Sequence, residues 1–298
     1  MKISITGASG FVGTHLKAYL KVSHDVSAMR IRYMPNQQIN LKGDAIIHLA
    51  GKAHDLKKVS NPQDYYEANF ELTKQLFDAF IDSESAVLIF MSSVKAVADE
   101  VEGILYEYKK PNPKTHYGIA KQQAEEYILS QELPIGKRIY ILRPCMIHGP
   151  GNKGNLNLLY QLVDKELPWP LGAFENQRSF LSIENLCFVI KELLENKTVP
   201  SGIYQVADDE CLSTNELIQL LGASLGKKTK IWKINVPFIK FLASIGDKIP
   251  LPLNSERLQK LTENYVVSNE KIVKALGKEL HVSAREGLMR TFESFTLV

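Results

Sequence analysis

The sequence predicts an α/β protein in which a doubly wound parallel sheet is followed by a smaller, mostly helical part. Three observations carry this. Short apolar runs alternate with helix-period segments through the first half, as strands covered by helices require. A glycine-rich turn, GASGFVG, directly follows the first of those runs. Beyond Pro144 the alternation stops, and Gly149, Pro150, Gly151 and Gly154 open a loop. A chain of 298 residues suits one large domain or two unequal ones. At that size it buries enough surface to need no disulfide or metal staple.

Taken in order, Ile3 to Thr6 reads as a short strand. Phe11 to Leu20 reads as a helix with Phe11, Leu16, Tyr19 and Leu20 near one face. Asp25 to Met29 is the second strand and Ala45 to Ala50 (AIIHLA) the third, apolar enough to be buried on both faces. A long helix runs from about Pro62 to Ile81, with proline near its start, where the missing N–H is tolerated. Ala86 to Met91 is a further buried strand, Tyr117 to Leu129 a helix and Arg138 to Leu142 a strand. Later segments read as helical and irregular, with one strand at Gly202 to Val206. Ser213 and Glu216 then have the spacing of a capping box and start another helix. There is no internal repeat and no low-complexity tract.

Composition narrows the function classes. Hydrophobic residues make up 45% and charged residues 23%, the profile of an ordinary globular protein rather than a disordered chain or disulfide scaffold. Thirty-six Lys plus Arg against 33 Asp plus Glu leave +3, too small a bias to predict a nucleic-acid or membrane partner. Cys145, Cys187 and Cys211 are unpatterned and read as buried thiols in a reducing compartment, with no metal site expected. Met1 runs straight into a strand, so no signal peptide is expected. The most apolar later stretch, Val236 to Leu253, is interrupted by Lys240, Asp247, Lys248 and prolines. It lacks the roughly 20 apolar residues that span a bilayer, and a cytoplasmic protein is expected. The pairs Lys57-Lys58, Lys109-Lys110 and Lys227-Lys228 read as solvated surface.

The glycine turn carries specific chemistry. Gly7, Gly10 and Gly13 lie between a strand and a helix, where the first permits the turn, the second lets backbone approach a pyrophosphate and the third lets helix and strand pack. Phe11 opens the helix, whose free N–H groups attract phosphate. A phosphate-loop reading fails because no Gly-Lys-Ser/Thr follows. The turn therefore predicts dinucleotide binding on a Rossmann fold. Such sites commonly end the second strand on an acid for the ribose hydroxyls. Here the strand ends Met29-Arg30, with Arg32 close by. An arginine suits a 2′-phosphate, so NADP(H) is favoured and NAD(H) is the alternative.

Tyr117 and Lys121 are four residues apart and share a helical face. A nearby ammonium favours the phenolate and brings tyrosine closer to working range. Ser92 and Ser93 end a buried strand, on the sheet edge where ligands bind.

Together these features resemble the extended short-chain dehydrogenase/reductase family, in its NAD-dependent epimerase/dehydratase (nucleotide-sugar) group. The resemblance covers nearly the whole chain. It rests on GASGFVG, IIHLAG (Ile46 to Gly51), EANFELT with Asn69, FMSSVK (Phe90 to Lys95), HYGIAK (His116 to Lys121), LRPCMIHGPG (Leu142 to Gly151) and NQRSFLSIENL (Asn176 to Leu186). It implies that Tyr117 is the general acid/base, that Lys121 holds the nicotinamide ribose and lowers the tyrosine pKa, and that Ser93 rather than Ser92 bonds the reacting sugar oxygen. Leu49, Ala50 and Gly51 would line the cofactor with the turn glycines, Phe11 and Arg30, and Asn69 would support that site. Asn155, Arg178 and, more weakly, Arg257 match positions that grip a nucleotide diphosphate. The implied division places residues 1–150 and a returning segment of about 180–208 in the Rossmann domain. Residues 151–179 and 209–298 then form the nucleotide-sugar domain.

The chain departs from the family pattern in places. The acidic ribose ligand is missing, and the segment before IIHLAG is too short for a full helix and strand. Where many 4-epimerases read valine-tyrosine-glycine after the serines, this chain has Lys95-Ala96-Val97, and Met146 stands where an Asn is frequent. The SSVK form and LPWPLGAFENQRS (Leu167 to Ser179) are similar to bacterial polysaccharide-cluster enzymes. The expectation is a reductase of a UDP-4-keto-6-deoxy-N-acetylhexosamine. A UDP-glucose/UDP-galactose (or N-acetyl) 4-epimerase with retained NAD is the rival, and a non-catalytic dinucleotide sensor the third reading. A dehydratase is disfavoured because Val94 and Lys95 stand where an added acid/base pair is needed. A homodimer is a possibility by family analogy.

Overall fold

The computed structural model describes residues 1–53, 61–152, 154–249 and 253–295. In chain order it opens with β1 (Lys2–Thr6), α1 (Phe11–Leu20), β2 (Asp25–Met29), β3 (Ala45–His48), α2 (Pro62–Tyr66), α3 (Leu72–Ile81), β4 (Val87–Met91) and β5 (Ile104–Leu105). There follow α4 (His116–Leu129), β6 (Arg138–Pro144), β7 (Met146–His148), α5 (Asn155–Asp164), β8 (Arg178–Ser182), α6 (Ile183–Glu195) and β9 (Gly202–Val206). The chain closes with β10 (Cys211–Leu212), α7 (Thr214–Leu225), α8 (Val236–Gly246), α9 (Ser255–Thr262), β11 (Val266–Val267), α10 (Glu270–Leu276) and α11 (Ala284–Phe295).

The main sheet has six parallel strands in the order β2-β1-β3-β4-β6-β9. Its central strand β4 is apolar and buried along its whole length because both faces of the sheet are covered. In β4, Val87, Ile89 and Met91 enter one core with Ile3, Ile5 and Leu186, whereas Leu88 and Phe90 enter the opposite core with Phe77, Phe80 and Ile128. This is the two-residue alternation of a strand read on a doubly buried sheet. The chain steps outward from β1 to β2, then returns to β3 on the other side of β1. The crevice at that reversal is where open α/β sheets bind ligands. The predicted Rossmann-type doubly wound sheet with a helical C-terminal part is the observed architecture.

The smaller part has its own core, in which Leu156 and Leu159 of α5, Phe180, Leu217 and Leu221 of α7, Ile239 and Ala243 of α8, and Phe292 of α11 meet. A three-stranded sheet, β10-β8-β7, and a short β11-β5 pair link it to the main sheet. The capping box is formed: Ser213 Oγ accepts the Glu216 N–H, and the Glu216 carboxylate accepts the Ser213 N–H at 2.8 Å.

Four expectations need correction. Tyr19 is 40% exposed, and α1 instead buries Gly13, Leu16 and Leu20. The helix from Pro62 to Ile81 contains a π-helical turn at Glu67–Glu71. The region after Pro144 holds β7, β8, β10 and β11 besides β9, strands of two to five residues. Cys145 and Cys187 are buried, but Cys211 is partly exposed and its thiol donates to Gln177 Oε1 at 3.0 Å. The segment between β2 and β3 has no helix or strand; Ile31, Ile39 and Leu41 pack it onto the sheet. Lys109 and Lys110 are exposed, Lys227 is bound to Asp164 at 2.8 Å, and Lys57-Lys58 lie outside the described residues.

Candidate active site

The turn after β1 is built around absent side chains. Gly7 has φ +66°, and a Cβ there would lie 2.8 Å from Ala50 N and Leu49 C. A Cβ at Gly13 would lie 2.3 Å from Gly7 O, which is backbone and cannot yield. Gly10 N–H closes the turn onto Gly7 O at 3.0 Å, and Gly10 caps α1 with no side-chain bond. The first amides of α1 beside Phe11 are thus left for an anion. Phe11 packs near Gly149, where a Cβ would meet its ring at 3.3 Å. Arg30 is exposed directly after β2, and no acidic residue occurs between Asp25 and Asp44. This cradle fits a dinucleotide pyrophosphate, with a cation at the adenosine end.

The exit of β3 is held by a buried polar relay. Thr6 Oγ1 accepts the Ala50 N–H at 3.1 Å and meets His48 Nδ1 at 2.8 Å. His48 Nε2 meets Thr73 Oγ1 at 3.1 Å, and Thr73 donates to Asn69 O at 2.8 Å. Burial, seconded by the charge of Lys121, pushes the imidazole down to about 3, so His48 stays neutral and serves as a strut. Asn69 sits in the π turn and is fully buried. Its Oδ1 accepts the Lys52 N–H at 3.1 Å, and its Nδ2 donates to Lys52 O and Tyr65 O at 3.0 Å. The extra residue of the π turn aims this amide across to the β3 exit, a common use of such bulges. A Cβ on Gly51 would lie 2.6 Å from Asn69 Oδ1 and 3.3 Å from Lys121 Nζ. Leu49, Ala50, Gly51, Asn69 and Lys121 therefore converge.

Helix α4 brings Tyr117 and Lys121 to the ends of β4 and β6. Thr115 caps it by accepting the Gly118 N–H at 3.2 Å. Gly118 lets the helix abut the turn after β4, since a Cβ would sit 2.4 Å from Lys95 O. Ser93 is a hydrogen-bond partner of the Tyr117 phenol. Ser92 points the other way, buried, and donates to Glu125 Oε1. Lys121 Nζ donates to Met91 O at 2.7 Å and lies 4.7 Å from the centre of the Phe90 ring.

Beneath this trio lies an ion pair the sequence reading missed. Glu125 and Arg143 are both buried; Nε of Arg143 donates to the two carboxylate oxygens at 3.0 and 3.1 Å, and Nη2 donates to Oε2 at 2.5 Å. One carboxylate thus joins α4, β6 and the serine end of β4. Its signal in the sequence is spacing: Tyr117, Lys121 and Glu125 repeat every four residues and share a face.

Burial dominates the electrostatics of Tyr117. Burial pushes its pKa up, the Ser93 hydrogen bond pulls it down and the Glu125 charge adds to the rise. Lys121 is not among the groups that shift it. Burial lowers Lys121 itself to about 7, against the opposing pull of Glu125. The phenol is therefore held protonated.

At the substrate end, Arg178 Nη1 donates to Lys260 O of α9 at 2.8 Å, and its Nη2 lies 3.7 Å from Glu263. Lys95 Nζ donates to Asp99 O at 2.7 Å and lies 4.3 Å from the Tyr265 ring centre. Its pKa falls by burial, offset first by Glu263 and then by Asp99, with Arg178 adding to the fall. Lys95, Arg178 and Glu263 thus form one charged group, joined to Tyr117 through the turn of Ser93 and Lys95. The sequence reading gave Lys95 no role. Arg257 is exposed on α9, the helix that meets Arg178. Asn155 begins α5, and its side chain lies outside the described residues. Among the described residues, no group of three or more His, Cys, Asp or Glu is placed to hold a metal ion.

A UDP-glucose 4-epimerase of Vibrio cholerae is 28% identical over 319 residues, covering 98% of this chain and 95% of that protein. A GDP-6-deoxy-D-mannose reductase of Pseudomonas aeruginosa is 27% identical, covering 74% of this chain and 79% of its own. The solved structure of RMD from Pseudomonas aeruginosa complexed with NADPH shares the fold, with a TM-score of 0.74 over 98% of each chain at 22% identity. The family model described as NAD dependent epimerase/dehydratase family matches residues 3–207, from the first strand through the last strand of the main sheet. The glycine cradle, the tyrosine–lysine helix and the serine turn all fall within that match, and the chain belongs to the NAD-dependent epimerase/dehydratase family.

Proposed function

We propose that the protein reduces a UDP-4-keto-6-deoxy-N-acetylhexosamine at C4 with NADPH. The observation that carries the choice of reductase is the end of β2, where Arg30 is exposed and no carboxylate stands between Asp25 and Asp44. A 2′-phosphate is welcome at such a position and a bare ribose has no acidic acceptor there. The bound cofactor supplies the hydride. Tyr117 gives its phenolic proton to the sugar O4 as negative charge grows there, and Ser93 donates a hydrogen bond to the same oxygen. A phenol kept protonated by burial is the form that a proton donor needs. Lys121 has three N–H donors, of which Met91 O takes one; the others serve the nicotinamide ribose and steady the phenolate left behind. Arg178, Arg257 and Asn155 would hold the UDP diphosphate, with Arg178 exchanging the Glu263 contact for phosphate.

Purified protein mixed with UDP-4-keto-6-deoxy-N-acetylglucosamine should consume NADPH stoichiometrically and faster than NADH. Tyr117→Phe should abolish turnover while leaving cofactor binding intact; full residual activity in that variant would remove tyrosine from the mechanism. A second reading, a UDP-hexose 4-epimerase with retained NAD, is favoured by the Vibrio cholerae relative, whose match spans nearly the whole chain. Interconversion of UDP-glucose and UDP-galactose without added cofactor, and no loss of NADPH with the keto sugar, would select it.

A further inference from the structure

We propose that residues 228–249 form a docking surface for the face of an anionic phospholipid bilayer, making the protein peripherally membrane-bound. Helix α8 buries Ile239 and Ala243 in the smaller core and turns Phe238 and Phe241 outward, 53% and 60% exposed. Those phenylalanines are three residues apart, hence neighbours on one face. Trp232 before the helix and Ile249 after it are 54% and 50% exposed. Four large apolar side chains thus face water within one short segment, where a soluble surface normally scatters them singly.

The charge in the segment is mostly positive. Lys228, Lys230, Lys233, Lys240 and Lys248 are all exposed, and Asp247 is the one acid in the segment. Its carboxylate is engaged by the Ser255 N–H at 2.9 Å and hydroxyl at 2.6 Å. From neighbouring elements, Glu166 adjoins Lys228 and Lys230, and Asp164 is held by Lys227 at 2.8 Å. The whole chain carries only +3, so this segment concentrates positive charge that the total conceals. Aromatic side chains among lysines match the boundary of an anionic leaflet, where rings enter the headgroups and ammonium groups meet phosphates. A second protein copy is the poorer occupant, because lysine is depleted in protein interfaces. Nothing here spans a membrane: among the described residues, no helix is long and apolar enough to cross one. The surface stands one helix from the substrate end of the site. Gly246 packs against Leu253 O at the start of α9, and α9 offers Lys260 O to Arg178.

Flotation of the full chain with phosphatidylcholine vesicles, and with vesicles containing phosphatidylglycerol, tests this without cofactor or substrate. Binding is expected to the anionic vesicles, and to weaken as salt is raised. Each lysine replaced by glutamine should weaken it about fivefold. Phe238→Ser with Phe241→Ser should weaken it at least about tenfold while the reductase or epimerase activity in solution stays at the parent level. No flotation with anionic vesicles at low salt would overturn the proposal, as would equal binding of the double variant. Sedimentation showing a dimer that the double variant breaks, with no vesicle binding, would assign the face to self-association instead.

Discussion

Replacing Glu125 by glutamine separates the two roles its position gives it. The side chain keeps its shape and can still meet Ser92, but Arg143, buried beside it, loses the opposing charge and one of the two oxygens that accept its hydrogen bonds. Breaking one half of a buried pair costs about 3–5 kcal/mol because the surviving charge is uncompensated. At roughly 2–4 °C per kcal/mol for a chain of this order of size, the melting temperature should fall by on the order of 10 °C. Glu125 also holds the Lys121 pKa up against burial. Without it, the Lys121 pKa falls from about 7 to a lower value, and any activity that needs the ammonium fades from the basic side at lower pH. The double variant Glu125→Gln, Arg143→Met removes the orphaned charge and should recover most of the stability. It should leave the shifted pH profile in place. Thermal melts and kcat/KM against pH, measured on both variants, decide the matter. A single variant that melts within about 2 °C of the parent and keeps its pH profile would refute the argument.

Two further expectations follow from the same geometry. His48 binds no proton in the native state until about pH 3, whereas in the unfolded chain it protonates near the ordinary imidazole value of 6.5. The unfolded state therefore holds the extra proton between those values, and stability falls as pH drops through that window, by about 4–5 kcal/mol in full. Denaturant unfolding at pH 7 and pH 4 should show a smaller loss in His48→Gln than in the parent; equal losses would exclude the histidine as the source. Gly118→Ala would place a Cβ 2.4 Å from Lys95 O and push α4 off the serine turn, at about 1–3 kcal/mol. Its activity should fall at least about tenfold, and an unimpaired variant would mean that the turn yields.

The first strand, its turn and α1 were legible because each glycine there answers a local steric demand, and Phe11 to Leu20 is helical to the residue. Strand β9 and the Ser213 capping box were legible for the same reason: their signals lie within a few neighbours. The π turn was not. One inserted residue leaves the apolar spacing of Pro62 to Ile81 readable as ordinary helix, and only the reach of Asn69 to the Lys52 main chain reveals it. Strands β10 and β11, two residues each, are shorter than any periodicity. Tyr19 was misplaced because the spacing admits it to the inner face, whereas Gly13 takes that place against the turn.

The tyrosine shows where residue spacing stops being sufficient. Four-residue spacing correctly set Tyr117 and Lys121 on one face, and from that it was natural to expect the ammonium to lower the phenol's pKa. The same packing that brings the pair into the cleft also removes both from water. Desolvation penalises each charged form, so the phenol rises and the ammonium falls. Lys121 meanwhile spends a donor on Met91 O, and the carboxylate that opposes its fall is Glu125, one turn further along α4. The resting state of such a site is a neutral phenol beside a lysine close to its own midpoint, suited to giving a proton to a sugar oxygen. Drawing a proton from a sugar hydroxyl first requires a new positive charge beside the phenol, which an oxidised nicotinamide carries and a reduced one does not. The direction of the chemistry at such a site would therefore be coupled to the redox state of the bound nicotinamide.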